Sequence, residues 1–254
     1  MRKPFIAGNW KMNTDINSAV ELAKALAEKS VDALIDNKIT VAVCPPSVYL
    51  SSVAAALSSS SVGLGAQNVY FEAKGAFTGE VSVSMLKDVG CTYTLIGHSE
   101  RRHIFGETNE MVNKKVHAAI SGGLLPVLCV GELLEEREAS KTEEVIKTQI
   151  VKGLEGIDAA KMQAITIAYE PVWAIGTGLT ASPQQAQEVH AFIRSLLVDL
   201  YDTNLAEEIR IQYGGSAKAS NAAELLSKKD VDGLLVGGAS LKADDFMGII
   251  EAAL

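Results

Sequence analysis

The sequence predicts an α/β protein, a single (β/α)8 barrel that spans residues 1–254 as one domain. Eight short apolar segments alternate with amphipathic stretches from end to end, which is the pattern of alternating strands and helices. The 254 residues allow about 32 per strand–helix unit, a usual size for such a repeat, and a closed barrel of eight units takes about 250 residues. An open doubly wound sheet is the rival architecture, but no G-x-G-x-x-G motif opens a first helix.

The predicted strands are continuous apolar runs rather than alternating ones, which is typical of parallel strands buried on both faces. In chain order they are Phe5–Trp10, Ile39–Cys44, Gly63–Gln67, Tyr93–Ile96, Leu124–Val130, Ala164–Tyr169, Ile209–Tyr213 and Gly233–Val236.

Helical periodicity fills the intervals between these strands. Apolar residues repeat at helical spacing over Ser18–Ser30, Asn109–Ser121 and Thr142–Lys152. Ser182 followed by Pro183 predicts a helix start, because serine caps helices well and proline suits the first turn. The helix that follows is expected to bury Ala186, Val189, Phe192, Ile193 and Leu196.

The connection Asn68–Glu80 differs from the others because it is long and has no helical period. It carries the aromatic residues Tyr70, Phe71 and Phe77. Long loops with apolar content usually have a function, so we expect a subunit contact here. An ordinary surface loop is the alternative.

Composition restricts the partners and the compartment. A net charge of −8 argues against a nucleic-acid partner. Cys44, Cys91 and Cys129 are odd in number and lack a C-x2-C spacing, which predicts buried free thiols in a reducing compartment. No targeting signal opens the chain and no apolar run reaches the roughly 18 residues of a membrane span. We therefore expect a soluble cytoplasmic protein with no membrane partner.

Functional groups of a barrel collect at the carboxyl ends of its strands. Five predicted strand ends supply a cation, an imidazole, a carboxylate and two glycine-rich turns, in the segments Asn9–Lys11, Gly97–Glu100, Glu170–Pro171, Gly214–Ser216 and Gly237–Gly238. Two glycine-rich turns after the seventh and eighth strands match the usual phosphate site of this architecture. No two histidines share these ends with a carboxylate, so no metal site is expected.

Each charged group at these ends has a chemical and a structural interpretation. Glu170 suits a general base, with burial expected to raise its pKa, and the alternative is a carboxylate paired with an arginine. His98 could donate a hydrogen bond to a carbonyl, although a lone histidine is more often structural. Lys11 could bind an anion or lie solvated at the surface. We expect Arg102 to be a solvated residue of a helix start.

Five segments resemble the signatures of the triosephosphate isomerase family, in family order and spacing. They are Phe5–Asn13, Ile96–Arg102, Ala168–Gly178, Ile211–Ser216 and Leu235–Leu241. The resemblance implies a TIM barrel and an isomerase of glycolysis and gluconeogenesis. Such an enzyme interconverts dihydroxyacetone phosphate and D-glyceraldehyde 3-phosphate through an enediolate, and it uses no cofactor.

The resemblance also implies the catalytic roles. Glu170 would move the proton between adjacent carbons, and His98 would polarise the carbonyl as a neutral imidazole. Lys11 would stabilise the enediolate, and Asn9 would orient the substrate. Ser99 and Glu100 would support these groups. The backbone N–H groups that hold the phosphate would be those of Gly176, Ser216, Gly237 and Gly238.

A mobile lid is implied as well, with residues Pro171, Val172, Trp173, Ala174, Ile175, Gly176 and Thr177. Its second hinge would be Leu179–Ala181, and many family members carry lysine where Leu179 stands.

A homodimer through residues 68–80 follows from the same resemblance, with Gln67, Phe77 and Thr78 as contacts. Thr78 would reach the neighbouring subunit's site near Asn9 and Lys11. The rival functions are a metal-dependent sugar-phosphate epimerase, an aldolase that would use Lys11 as its imine-forming residue, and a catalytically silent binding barrel.

Overall fold

A computed structural model describes residues 2–29, 38–175 and 180–254. Eight parallel strands close into a barrel in chain order, which confirms the predicted (β/α)8 fold. The strands are β1 Phe5–Asn9, β2 Thr40–Cys44, β3 Gly63–Ala66, β4 Tyr93–Ile96, β5 Leu125–Val130, β6 Thr166–Tyr169, β7 Ile211–Tyr213 and β8 Gly233–Val236. Their ends lie within one or two residues of the predicted ones.

Helices surround the barrel. In the described residues they are α1 Ile16–Glu28, α2 Leu50–Ala56, α3 Val83–Asp88, α4 Ser99–His103, α5 Asn109–Ser121, α6 Leu134–Glu138, α7 Thr142–Gly153, α8 Ala159–Met162, α9 Pro183–Leu200, α10 Thr203–Glu208, α11 Ala219–Leu226 and α12 Ala243–Glu251. Short 3₁₀ helices occupy Ser47–Tyr49, Val172–Ala174 and Gly238–Leu241.

Side-chain caps set where the helices start. Helix α9 begins as predicted, because the Ser182 hydroxyl accepts from Gln185 N and the Gln185 side chain accepts from Ser182 N. Helix α1 begins two residues earlier than the predicted Ser18, because Asp15 accepts from the backbone N–H groups of Asn17 and Ser18.

The core has two layers. A small cluster fills the barrel interior with Phe5, Ala7, Ala42, Cys44, Leu95, Val127, Cys129, Ala168 and Leu235. A larger apolar layer lies between the strands and the helices. All three cysteines are buried and free, as predicted. Phe192 is only partly buried, because it lies at the edge of the outer layer.

Neither a helix capable of crossing a membrane nor a metal-binding group was found in the three described segments. No helix there is long and apolar enough to span a bilayer. No three His, Cys, Asp or Glu side chains there are grouped to hold a metal ion.

Candidate active site

A cavity of about 530 Å³ opens at the C-terminal rim, the edge of the barrel formed by the carboxyl ends of the strands. It brings together most of the residues predicted for the site, with Ile175 beside them. Its predicted lining residues are Asn9, Lys11, His98, Glu170, Ser216, Gly237 and Gly238. Ser99 and Glu100 contact this set through Glu170 and Lys11 respectively. Gly176 and Thr177 lie outside the described residues.

Glu170 is buried at the end of β6 and contacts His98. The distance from its Oε1 to Nε2 of His98 is 2.9 Å, and its Oε2 accepts a hydrogen bond from Ser99 N at 3.0 Å. The side chain is only 2% exposed. Its charged partner is therefore a histidine and not the arginine of the structural alternative.

The expected upward shift of the Glu170 pKa is wrong for this arrangement. Burial does raise the pKa of Glu170, but the His98 charge and hydrogen bond, together with Ser99 N–H and the Lys11 charge, outweigh it. The net pKa lies below the ordinary value, and the carboxylate is ionised near neutral pH.

His98 caps helix α4, and this position determines which ring nitrogen carries a proton. Glu100 N donates to His98 Nδ1 at 3.3 Å, so Nδ1 presents a lone pair and Nε2 is the donor to Glu170. Burial lowers the pKa of His98, but the charge and hydrogen bond of Glu170 outweigh that effect and raise it above its ordinary value.

Lys11 is held at the site by its side chain and its backbone. Its Nζ lies 2.7 Å from Glu100 Oε1. Its backbone has φ of 52°, which lysine seldom adopts. Asn9 Oδ1 accepts from Lys11 N at 3.0 Å, and Gln67 Nε2 donates to Lys11 O at 2.8 Å. The ammonium is thus ion-paired within the cavity and is not a freely solvated surface group.

The turn after β7 is shaped by glycine. A Cβ on Gly214 would lie 2.8 Å from Glu170 Cγ, so glycine leaves the space that this side chain occupies. Asn221 holds the far end of the turn, because its amide donates to Ser216 O at 3.2 Å and accepts from Lys218 N at 2.8 Å.

The turn after β8 lies next to the Lys11 side chain. A Cβ on Gly237 would sit 3.6 Å from Lys11 Cε, whereas one on Gly238 would meet no atom of the described residues within 4 Å. The 3₁₀ helix Gly238–Leu241 starts at this turn, so its first backbone N–H groups are left for an external acceptor.

The first hinge of the predicted lid is structured. Pro171 precedes the 3₁₀ helix Val172–Ala174, Ala174 is buried, and Ile175 lines the cavity. The remaining lid residues Gly176 and Thr177, and Leu179 of the second hinge, lie outside the described part of the chain.

Sequence reasoning missed Glu132, which anchors this hinge. It is fully buried just after β5, and its Oε1 accepts from Tyr169 Oη at 3.1 Å, Trp173 Nε1 at 3.0 Å and Arg137 Nη1 at 3.0 Å. The Arg137 guanidinium also lies 5.0 Å from the Trp173 ring centroid. A carboxylate following a strand was the available signal, the same one that identified Glu170.

The expectation that Arg102 is solvated is wrong. Its Nε donates to Gly97 O at 2.7 Å, its Nη1 to Asn109 Oδ1 at 2.7 Å and its Nη2 to Cys129 O at 3.2 Å. Arg102 therefore ties helix α4, which follows His98, to the end of β5.

The comparisons with known proteins agree with this geometry. The family model described as triosephosphate isomerase matches residues 4–253. A triosephosphate isomerase of Rhodopirellula baltica is 59% identical over 99% of this chain and 98% of the relative. Those of Carboxydothermus hydrogenoformans and Alkaliphilus oremlandii are 54% and 53% identical over essentially the full length of both chains. The chain belongs to the triosephosphate isomerase family, and it catalyses the interconversion of dihydroxyacetone phosphate and D-glyceraldehyde 3-phosphate.

Proposed function

We propose that the cavity at the C-terminal rim is the active site, with Glu170 as the general base. The observation that carries the proposal is one cavity in which a buried carboxylate, an imidazole N–H and an ammonium face two glycine-rich turns. One end can move a proton next to a carbonyl, and the other can hold an anion through backbone N–H groups.

The substrate's phosphate lies at the turns after β7 and β8. Ser216, Gly237 and Gly238 hold it through backbone N–H groups, and Gly176 of the lid adds another. The start of the 3₁₀ helix Gly238–Leu241 favours negative charge there. This orientation directs the carbonyl end of the substrate toward His98 and Lys11.

Substrate binding has to separate Glu170 from His98, because the two are in direct contact in the free site. Glu170 then takes the proton from the carbon beside the carbonyl, and His98 Nε2–H donates to the carbonyl oxygen. Lys11 stabilises the negative charge that develops, and Asn9 orients the same oxygen. Glu170 returns the proton to the neighbouring carbon, and His98 passes the substrate's hydroxyl proton to the former carbonyl oxygen, which completes the isomerisation.

His98 acts as a neutral donor in this scheme. Its pKa is raised only by acidic neighbours, with Glu170 the largest contributor. Once substrate separates that pair, burial and the Lys11 charge both favour the neutral ring. Glu100 N–H continues to occupy Nδ1, so the proton stays on Nε2, which faces the substrate.

The lid, residues 171–177, closes over the substrate's phosphate and excludes water. An enediolate next to a phosphate can expel that phosphate, and a closed, dry site disfavours this loss. Ile175, which already lines the cavity, supplies an apolar wall.

The active unit that we propose is a homodimer of one-domain chains, residues 1–254, in the cytoplasm. Two exposed apolar side chains line one groove, Met12 at 95% and Phe105 at 68% exposed, and Phe77 of the 68–80 loop is 39% exposed. The groove has a volume of about 280 Å³ and is lined by Asn9, Lys11 and Gln67, among others. This groove suits Thr78 of a second copy. The cytoplasmic location is supported by the buried free thiols, which suit a reducing compartment.

Sedimentation measured at the assay concentration tests the dimer. A fully active monomer would contradict it, and a dimer that loses activity on dissociation would support it.

The base is tested with Glu170→Asp, which keeps the charge and withdraws the carboxylate by one methylene. A displacement of about 1 Å costs roughly a hundredfold in rate. We expect such a loss in kcat, measured with glyceraldehyde 3-phosphate, with unchanged thermal stability. A variant with the wild-type rate would move the base to another residue.

A further inference from the structure

Strands β4 and β5 do not end at the same height on the barrel. Their last paired residues are Ile96 and Leu128. The chain leaves β4 at Gly97, which has φ of 73°, while β5 continues to Val130. Among the residues that the structure describes, the end of β5 therefore has no neighbouring strand on its β4 side.

The backbone groups of successive residues in a strand point alternately to the two neighbouring strands. Val130 O accepts from Glu170 N at 2.8 Å, and Glu132 O accepts from Val172 N at 3.1 Å. Val130 and Glu132 thus face the β6 side, and Gly131 between them faces the side that β4 has left. Buried backbone groups in this position need other partners.

Gln149 provides those partners from helix α7. Its Oε1 accepts from Gly131 N at 2.8 Å, and its Nε2 donates to Gly131 O at 3.0 Å. One side-chain amide therefore pairs with both backbone groups of one residue, as the two peptide groups flanking a residue of a longer β4 would. Gln149 is buried on the apolar face of the helix, next to Ile146 and Ile150.

The position of Gly131 constrains two groups that act in the site. A Cβ on Gly131 would lie 1.8 Å from Glu170 O, so the two backbones touch and neither can move toward the other. The residue after Gly131 is Glu132, whose carboxylate holds Trp173 of the first hinge. A displacement of Gly131 would shift both Glu170 and the hinge.

We propose that Gln149 is a positioning residue for the isomerisation. It pairs with Gly131 in place of a β4 extension and so holds Glu170 and Glu132 at the height that proton transfer and lid closure require. The inference rests on the proposed role of Glu170 as the base.

The first test replaces the amide by an apolar group of similar size. In Gln149→Leu, Gly131 N–H and C=O lose their partners and the end of β5 relaxes. We expect kcat to fall by about 10- to 100-fold, since misplacement by about 1 Å has a cost of that order. KM should change less, because the phosphate turns follow β7 and β8. Ile150→Val is the matched control, since it loosens the same helix without touching Gly131, and it should keep the wild-type kcat.

The second test is the pH dependence of Gln149→Glu. A protonated carboxylic acid still accepts from Gly131 N and donates to Gly131 O, whereas the ionised form repels that carbonyl. Burial and the facing carbonyl raise the pKa of the introduced group. The ratio of variant to wild-type kcat should therefore be near one at low pH and fall by about tenfold as pH rises. A residue that only supports folding would leave this ratio flat.

The outcomes are separable at a temperature where circular dichroism shows every variant folded. A folded Gln149→Leu with kcat within about twofold of wild type, or a pH-independent ratio for Gln149→Glu, overturns the inference. If Glu170→Asp keeps the wild-type rate, the base assignment fails first. A slow Glu170→Asp beside a fast Gln149→Leu removes only the role of Gln149.

Discussion

Both rims of the barrel hold buried charge, and the two clusters differ in how completely their partners are fixed. The N-terminal rim is the edge of the barrel where the strands begin. There Arg194 donates to Asp230 at 2.6 Å and to Asp232 at 2.6 Å. It also donates to the carbonyl oxygens of Ala206 and Ile209. All three of its guanidinium nitrogens are engaged, and Arg2 adds a second cation to the cluster, with its Nε 2.5 Å from Asp232 Oδ1.

The C-terminal rim is paired more loosely. Glu170 is bonded to His98 and Ser99 N, and Lys11 is paired with Glu100, whose side chain is 40% exposed. Every one of these bonds joins a group that an incoming substrate could engage in its place. The comparison suggests that saturated charge stabilises the fold, whereas charge with replaceable partners is available for chemistry.

The largest effect is expected from breaking the saturated cluster. Arg194→Met removes the nearer counter-ion of buried Asp230 and leaves Asp232 paired with Arg2 alone, which should lower the unfolding free energy by about 3 kcal/mol. Urea denaturation measures this loss, and the kcat of the folded fraction should stay close to wild type. Lys161→Met, at an exposed pair with Asp158, is the control that should change neither. A stable Arg194→Met would show that saturation does not confer stability.

Removal of the loosely paired cation should have the opposite signature. Lys11→Met takes away a donor to the developing negative charge, with an expected loss of about 10²–10³-fold in kcat/KM. Glu100 can turn to solvent, so thermal stability should hold. Steady-state kinetics and a melting curve on the same sample decide the case. A marked loss of stability would mean that the charges at the C-terminal rim stabilise the fold as those at the N-terminal rim do.

Glu132 lies at the C-terminal rim but has several fixed partners, so it tests the boundary between the two kinds of cluster. Glu132→Gln removes the charge that faces Arg137 and disturbs three hydrogen bonds, at an expected cost of about 1–3 kcal/mol in stability. Because Trp173 is one of the donors, kcat and KM should change together and the tryptophan emission should shift. Unchanged kinetics with lowered stability would show that Glu132 stabilises the fold and does not act in the lid.

The smallest effect on stability is expected from lowering the pH. Burial raises the pKa of Asp230. Hydrogen bonds from Gln187 and Arg194, together with the Arg194 charge, outweigh burial and bring that pKa below its ordinary value. Stability from a carboxylate with a lowered pKa is complete above the unfolded pKa and is lost as pH falls through the folded one. The ordinary pKa of an aspartate is 3.8, so wild type should lose this contribution as pH falls below that value. Asp230→Asn should show a shallower loss there, and equal slopes in acid titrations of stability would contradict it.

Much of the fold and of the site followed from local sequence. Continuous apolar runs predicted the strands, and glycine pairs or charged residues just after them predicted the rim, including His98 and Glu170. Each of these signals spans only a few residues, so it can be recognised from the sequence without knowledge of the fold.

The remainder depends on contacts between distant residues. The lowered pKa of Glu170 arises from His98, which is far away in the chain, and burial alone predicted the opposite direction. Glu132 follows a strand as Glu170 does, but its Trp173 partner lies on the next strand–helix unit. The only sequence sign of Gln149 is that a polar residue lies on the helix face shared by Ile146 and Ile150. A search for apolar periodicity does not count a single polar residue as a signal.

The unequal heights of β4 and β5 also matter for redesign of this scaffold. A strand of a closed barrel can be shortened for a new turn if a helix behind it carries an amide or a guanidinium that completes the neighbour's backbone pairing, as Gln149 does for Gly131 and Arg102 for Cys129. A graft that exchanged the turn after β4 without these two donors would leave polar backbone groups buried and unpaired. The transferable module is therefore the turn together with its two supporting side chains.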